Sequence, residues 1–205
     1  MFRPFSLLCL TLFISTPILA ITTNNFEVTP LIGYRFGGDF DVTKDETISK
    51  VKLVEGISYG LLTAWSYDRS RQGELLITHY NTEFSQHSDF VPSNEKLGVT
   101  YAHIGGNVNI SKNTIPLYIT GGMGMTHFSP KGAQLDSETR FSMNIGLTSK
   151  IPLSEQLSFQ FGGRIYGTFF NSDSSIFCEQ TNCLISMSSD IWIQTEVTAG
   201  LSLAF

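Results

Sequence analysis

Charge is scarce in this chain: 15% of its 205 residues are charged, against about 25% in an average soluble domain. No Lys/Arg cluster interrupts an otherwise acidic sequence, which argues against nucleic acid as a partner. Cysteine is rarer still, with three in all, and no clustered His accompanies them in a metal-ligand pattern. After residue 20 no run of 18 apolar residues occurs, so the sequence has no transmembrane helix. No long stretch carries the i, i+3, i+4, i+7 pattern of an amphipathic helix. No phosphate-binding or cofactor motif is present. Gly121-Gly122 and Gly162-Gly163 lie in strand-like segments without a following helix or Lys, and they read as relief of crowding.

What remains is apolar, aromatic and glycine-rich: 41% hydrophobic, with 18 Gly and 16 Phe. That composition fits a protein solvated by lipid on one side, and equally a soluble β-protein. The length suits one domain.

Residues 1–20 differ in kind. Arg3 supplies a positive n-region, residues 7–14 an apolar h-region, and Ala20 a small residue before a cut. This pattern reads as a cleaved secretory signal peptide, leaving residues 21–205 as the folded domain. Residues 7–20 are too few for a membrane anchor, which needs roughly 20. Leu8 before Cys9 argues against a lipoprotein site. The exported part keeps 12 basic and 18 acidic residues, near −6. It also keeps Cys178 and Cys183, for which an oxidising compartment predicts a disulfide. A shared metal is the alternative reading of that pair.

Alternation with period two recurs along the rest of the chain, the mark of strands with two unlike faces. Segment 26–37 sets Phe26, Val28, Pro30, Ile32, Tyr34 and Phe36 against Glu27, Thr29, Leu31, Gly33, Arg35 and Gly37. Segment 53–67 sets Ile57, Tyr59, Leu61 and Trp65 against Ser58, Gly60 and Ala64. Segment 74–84 alternates poorly, and its facing is not assignable. Segment 96–110 puts Leu97, Val99 and Tyr101 on one side and changes parity near Gly105-Gly106, which predicts a bulge. The remaining four begin at residues 117, 141, 157 and 191 and alternate cleanly. The connectors at 68–73, 111–116 and 152–156 are short. Those at 38–52, 85–95, 129–140 and 171–190 are longer and more polar.

Eight strands with alternating short and long connectors predict an all-β fold, an eight-stranded antiparallel up-and-down transmembrane barrel of a bacterial outer membrane. Tight turns would face the periplasm and long loops the outside. A ten-stranded count needs a hairpin hidden in the first long connector, and residues 39–52 are too charged for a spanning pair. Trp65 and Tyr67 fall where an inner aromatic girdle belongs, and Phe169, Phe170 and Phe177 near the outer one.

Residues 116–130, Pro-Leu-Tyr-Ile-Thr-Gly-Gly-Met-Gly-Met-Thr-His-Phe-Ser-Pro, together with Phe177-Cys178, Cys183 and the closing Gly-Leu-Ser-Leu-Ala-Phe, resemble small outer-membrane barrels of the "porin family" type. These are related in fold to OmpA-, OmpX- and OmpW-like barrels. The resemblance spans the exported part and is clearest over residues 96–205. It implies fold and location, and little about activity. The last strand, with Val197, Leu201, Leu203 and Phe205 on its outward face, resembles the signal read by the barrel assembly machinery.

Arg35, Lys150, Arg164 and Glu196 share the inward parity. A buried charge requires a partner or water, so they predict an ion-paired plug, with a polar path as the alternative. His127 and Ser129 resemble the His-x-Ser of an outer-membrane lipid A deacylase, with Glu138 or Asp136 as the acid. That enzyme's motif continues with Asn where Pro130 stands here, and an interfacial His beside a loop Ser is the plainer reading. The expected protein is a monomeric, non-enzymatic barrel without cofactor, set in outer-membrane lipid and lipopolysaccharide and presenting external loops. A narrow channel for small or hydrophobic molecules is the alternative.

Overall fold

The structure is a computed structural model. It describes residues 26–44, 47–68, 70–84, 96–111, 115–131, 136–170, 175–179, 182–186 and 191–205. The leader expected at residues 1–20, including Cys9, and the connector at 85–95 lie outside them.

Eight strands close a barrel: β1 (Phe26–Gly37), β4 (Gly56–Ser66), β5 (Arg71–Glu83), β6 (Lys96–Asn109), β7 (Leu117–Pro130), β8 (Glu138–Pro152), β9 (Leu157–Phe169) and β12 (Ile191–Ala204). Each pairs antiparallel with its neighbour in the chain, and β12 returns to β1. Closure pairs the backbone groups of every strand and leaves no sheet edge. The first long connector does hold a hairpin, β2 (Phe40–Lys44) with β3 (Thr47–Val51), but it forms its own two-stranded sheet. The barrel count therefore stays at eight. A second separate hairpin, β10 (Ser175–Glu179) with β11 (Asn182–Ser186), lies in the last connector.

The pleat turns alternation in sequence into an inside and an outside. Ile32, Tyr59, Ile77, Ile104, Met123, Ile145, Ile165, Ile193 and Leu203 stand exposed on the outer wall. Thr29, Arg35, Ser58, Thr78, Asn107, Thr120, Asn144 and Gln194 are buried inside. A belt of this size on every strand is tolerable only where hydrocarbon solvates it. The strands' facings follow from it, including that of β5. There Leu76 and Tyr80 point in while Leu75 and Ile77 point out, so apolar residues on both faces cancel the period.

Three expectations need correction. The register of β6 runs unbroken against β5 and β7 through Gly105-Gly106, so there is no bulge. Leu97, Val99 and Tyr101 instead point inward and are fully buried. The apparent change of parity is a change in lumen chemistry, from apolar near the long-loop end to polar below. Phe170 does not join an outer girdle: it is buried against Phe128, at 5.8 Å between ring centroids. Phe169 is exposed as expected, and the Phe177 side chain lies outside the described residues. The third long connector shrinks to 131–137, no longer than the turn at 110–116, because β7 and β8 extend beyond their clean alternation.

The short-turn end carries Trp65 and Tyr67 in edge-to-face contact at 6.3 Å. In its first turn Arg71 donates to Asp68, as do the Ser70 and Arg71 backbone amides. Chiefly through the Arg71 side chain, these bonds hold the Asp68 carboxyl well below the usual carboxylate range. At the opposite end Gly38 has φ +92°, and an added Cβ there would stand 2.7 Å from the Trp192 ring. Only glycine satisfies both conditions.

Candidate functional site

Inward side chains of the described residues meet across the lumen at several levels. Nearest the short turns, Lys150 from β8 donates to Glu27 of β1 and to Gln72 of β5 at 3.0 Å. Gln72 and Ser202 donate to the same carboxylate at 2.9 and 3.1 Å. One level higher, Arg164 of β9 reaches across the lumen to Glu74 of β5 at 2.8 Å, and its other terminal nitrogen donates to Asn144 at 3.0 Å. Glu74 also accepts from Asn107 at 2.6 Å and Thr120 at 2.7 Å. Asn107 donates to Gln72 as well, which ties this layer to the one below.

Above these, Arg35 of β1 donates to Glu196 of β12 at 2.8 Å and to Thr78. Tyr166 donates to the other Glu196 oxygen at 2.6 Å. The Arg35 guanidinium lies 4.7, 4.8 and 5.3 Å from the ring centroids of Tyr80, Tyr101 and Tyr166. Its Nε and Nη1 have no hydrogen-bond partner among the described residues, and the three ring faces take that role. A desolvated cation–π contact contributes about 2 kcal/mol. Tyr101 and Tyr166 stack at 4.3 Å, and Tyr101 donates to Gln194. His103 is hydrogen-bonded through Nε2 to Ser142 at 2.8 Å.

The outer mouth is apolar. Leu53, Phe84, Leu97, Phe128, Phe170 and Trp192 are buried together there. Phe128 meets Trp192 edge-on at 5.2 Å, and Trp192 Nε1 donates to the Gly38 carbonyl at 2.7 Å.

Arg35, Lys150, Arg164 and Glu196 are thus all buried in the lumen, as their parity predicts. Arg35 and Glu196 are brought together. Arg164 stands beside Glu196 in the register but pairs with Glu74 instead. Two carboxylates complete the set. Glu27 has the right parity in the sequence, but its partner Lys150 comes from a distant strand. Glu74 sits on the strand whose facing the sequence leaves open, and no signal short of the closed barrel identifies it.

Among the described residues no hydrogen bond joins His127 or Ser129 to Glu138 or Asp136. His127 Nδ1 is hydrogen-bonded to Thr139 at 2.8 Å, and Glu138 is paired with Arg140 at 3.0 Å. Val197, Leu201, Leu203 and Phe205 are exposed on the outer wall. The backbone register sets Cys178 opposite Cys183 in the β10–β11 hairpin; their side chains lie outside the described residues. Gly121 and Gly122 face Gly106 and Gly105 across the β6–β7 register. A Cβ added at Gly162 would stand 2.9 Å from the Thr148 hydroxyl, consistent with crowding as the reason for glycine there.

No family profile matches the sequence, and no curated protein does. Solved structures match in shape. OprG of Pseudomonas aeruginosa, an outer-membrane protein, superposes with a TM-score of 0.60 at 9% identity over 88% of this chain and 95% of that one. The outer-membrane protein AlkL, determined in lipid bilayers, gives 0.55 at 10% identity over 88% and 90%. Neisserial surface protein A gives 0.52 at 8% identity over 89% and 98%. The likeness is one of fold: a small outer-membrane β-barrel.

Proposed function

We propose that this chain is a sealed outer-membrane barrel whose work is done at its outer surface and external hairpins, not by conduction. The observation that carries the reading is the stack in the lumen. Three cations each meet their own carboxylate, and an apolar layer closes the mouth above them. An eight-stranded barrel has an interior just wide enough for side chains, and here side chains span it at successive levels. Water crossing it would have to separate buried ion pairs, each costly to break.

Residues 1–20 are then the export leader, and the outward Val197, Leu201, Leu203 and Phe205 the feature offered to the assembly machinery. The lipid-facing belt supports both assignments. The channel reading predicts the opposite of a stacked lumen. It is tested by recording refolded protein in planar bilayers, with insertion verified separately. The sealed barrel gives no discrete steps, whereas unitary steps that change with Arg35→Ala would establish a path through the lumen.

The hairpin register supports a Cys178–Cys183 disulfide in the last loop. Directly opposed residues in an antiparallel pair have Cβ atoms about 4.5–5.5 Å apart, near what the bond requires. Alkylation of the unfolded, unreduced protein followed by mass spectrometry should find neither cysteine labelled. Labelling of both would remove the bond.

A further inference from the structure

The outer wall is not apolar all the way up. Near the long-loop end of β5 to β8 its outward residues turn polar and basic. Lys96 opens β6 and Lys131 directly follows β7, with the Lys131 amide donating to the Lys96 carbonyl at 2.8 Å. Both are exposed and share the outward parity. Below them come Gly98 beside Ser129, then Thr100 beside His127. His79 of β5 flanks this column, its Nδ1 hydrogen-bonded to Thr100 at 2.8 Å. On the other flank Thr139 of β8 holds His127 Nδ1 at the same distance. In each case Nε2 is the ring's remaining hydrogen-bonding nitrogen. Lys96 approaches Glu83 at 3.6 Å, with both side chains about half exposed. Such a pair contributes little and yields readily to a stronger anion.

Lower on β6, β7 and β8, and continuing onto β9 and β12, the wall is indented. Ile104, Gly121, Met123, Ile145, Ile165 and Ile193 line an apolar groove of about 680 Å³ that opens outward. Gly121 forms part of its floor: a Cβ added there would have Asn144 O, at 3.5 Å, as its nearest neighbour. Met123 and His127 are four positions apart on β7, roughly 13 Å along the strand. That is within reach of one acyl chain in a leaflet whose hydrocarbon is about 15 Å deep.

We infer that this wall holds a phosphorylated, multiply acylated glycolipid of the outer leaflet. The inference rests on the outer-membrane reading above. Lys96 and Lys131 face the phosphate, with His79 and His127 donating from below. Ser129, Thr100 and Thr139 offer hydroxyls to the sugar, and one chain descends past Met125 and Phe141 into the groove. Charge complementarity selects an anionic head, and the position at the long-loop end selects the outer leaflet.

The test is native mass spectrometry of the refolded full chain with bis-phosphorylated hexa-acyl lipid A, and with its dephosphorylated form as competitor. Wild type should retain the phosphorylated lipid preferentially. Lys96→Gln with Lys131→Gln should weaken retention about 30-fold, roughly fivefold for each lysine near the interface. Gly121→Leu, which fills the groove without touching the head patch, should also reduce retention. Equal retention of both lipids, or retention unchanged in the lysine variant, overturns the proposal while leaving the barrel reading intact. A protein that fails to insert into phosphatidylcholine vesicles overturns both.

Discussion

Glu196→Ala should destabilise the refolded barrel by about 3–5 kcal/mol, the usual cost of breaking a buried ion pair from one side. The carboxylate accepts from Arg35 at 2.8 Å and from Tyr166 at 2.6 Å, and both donors are buried. Its removal leaves the guanidinium with Thr78 and three tyrosine faces, none of which neutralises it. Urea unfolding in lipid vesicles, followed by tryptophan fluorescence, reads the loss directly. The companion double variant, Arg35→Met with Glu196→Leu, should recover most of it, because an apolar pair of similar volume carries no desolvation cost. If the single variant unfolds at the wild-type midpoint, water has access to Arg35 and the lumen is not sealed.

Ile145→Arg should cost about 2–4 kcal/mol, the range for a cation near the midplane of a barrel's lipid face. Ile145 is 61% exposed, midway along β8, on the wall that includes Met143 and Leu147. In water the same substitution at so exposed a site would be nearly neutral. Leu153→Arg, in the short turn and 57% exposed, supplies the control, because the penalty falls to about 0–1 kcal/mol near an interface. Equal effects at both positions, each within about 0.5 kcal/mol of wild type, would mean that the belt is not solvated by lipid.

Most of the barrel can be read from the chain because the pleat imposes one physical rule on every residue of a strand. Where the two faces differ chemically, as in β8 with Phe141, Met143, Ile145 and Leu147 against Ser142, Asn144 and Thr148, alternation reveals strand, facing and environment together. It fails where the lumen itself is apolar. Leu97, Val99 and Tyr101 look like a lipid face and are buried inside the barrel. Leu76 and Tyr80 blur β5 for the same reason, and with β5 goes Glu74. The lumen charges are legible as a set but not as pairs. Pairing across a lumen depends on which strands stand opposite, and alternation carries no information about that. The polar rise of the wall at His79, Lys96 and Lys131 is hidden for a related cause. Each strand contributes only one or two of its members, and only the register assembles them.

The order of events during insertion follows from the same lumen. The three ion pairs join residues 90, 123 and 161 positions apart in the chain. Arg35 meets Glu196 only across the seam where the first strand meets the last. Until that seam shuts, each nascent intermediate holds unpaired ions beside hydrocarbon, a condition more costly than remaining at the surface. Half-inserted sheets are therefore penalised and the finished cylinder is favoured in one cooperative step. Contacts so distant in sequence also make that step slow. The ionic stack thus acts as a latch: it rewards only a chain that has brought its two ends together.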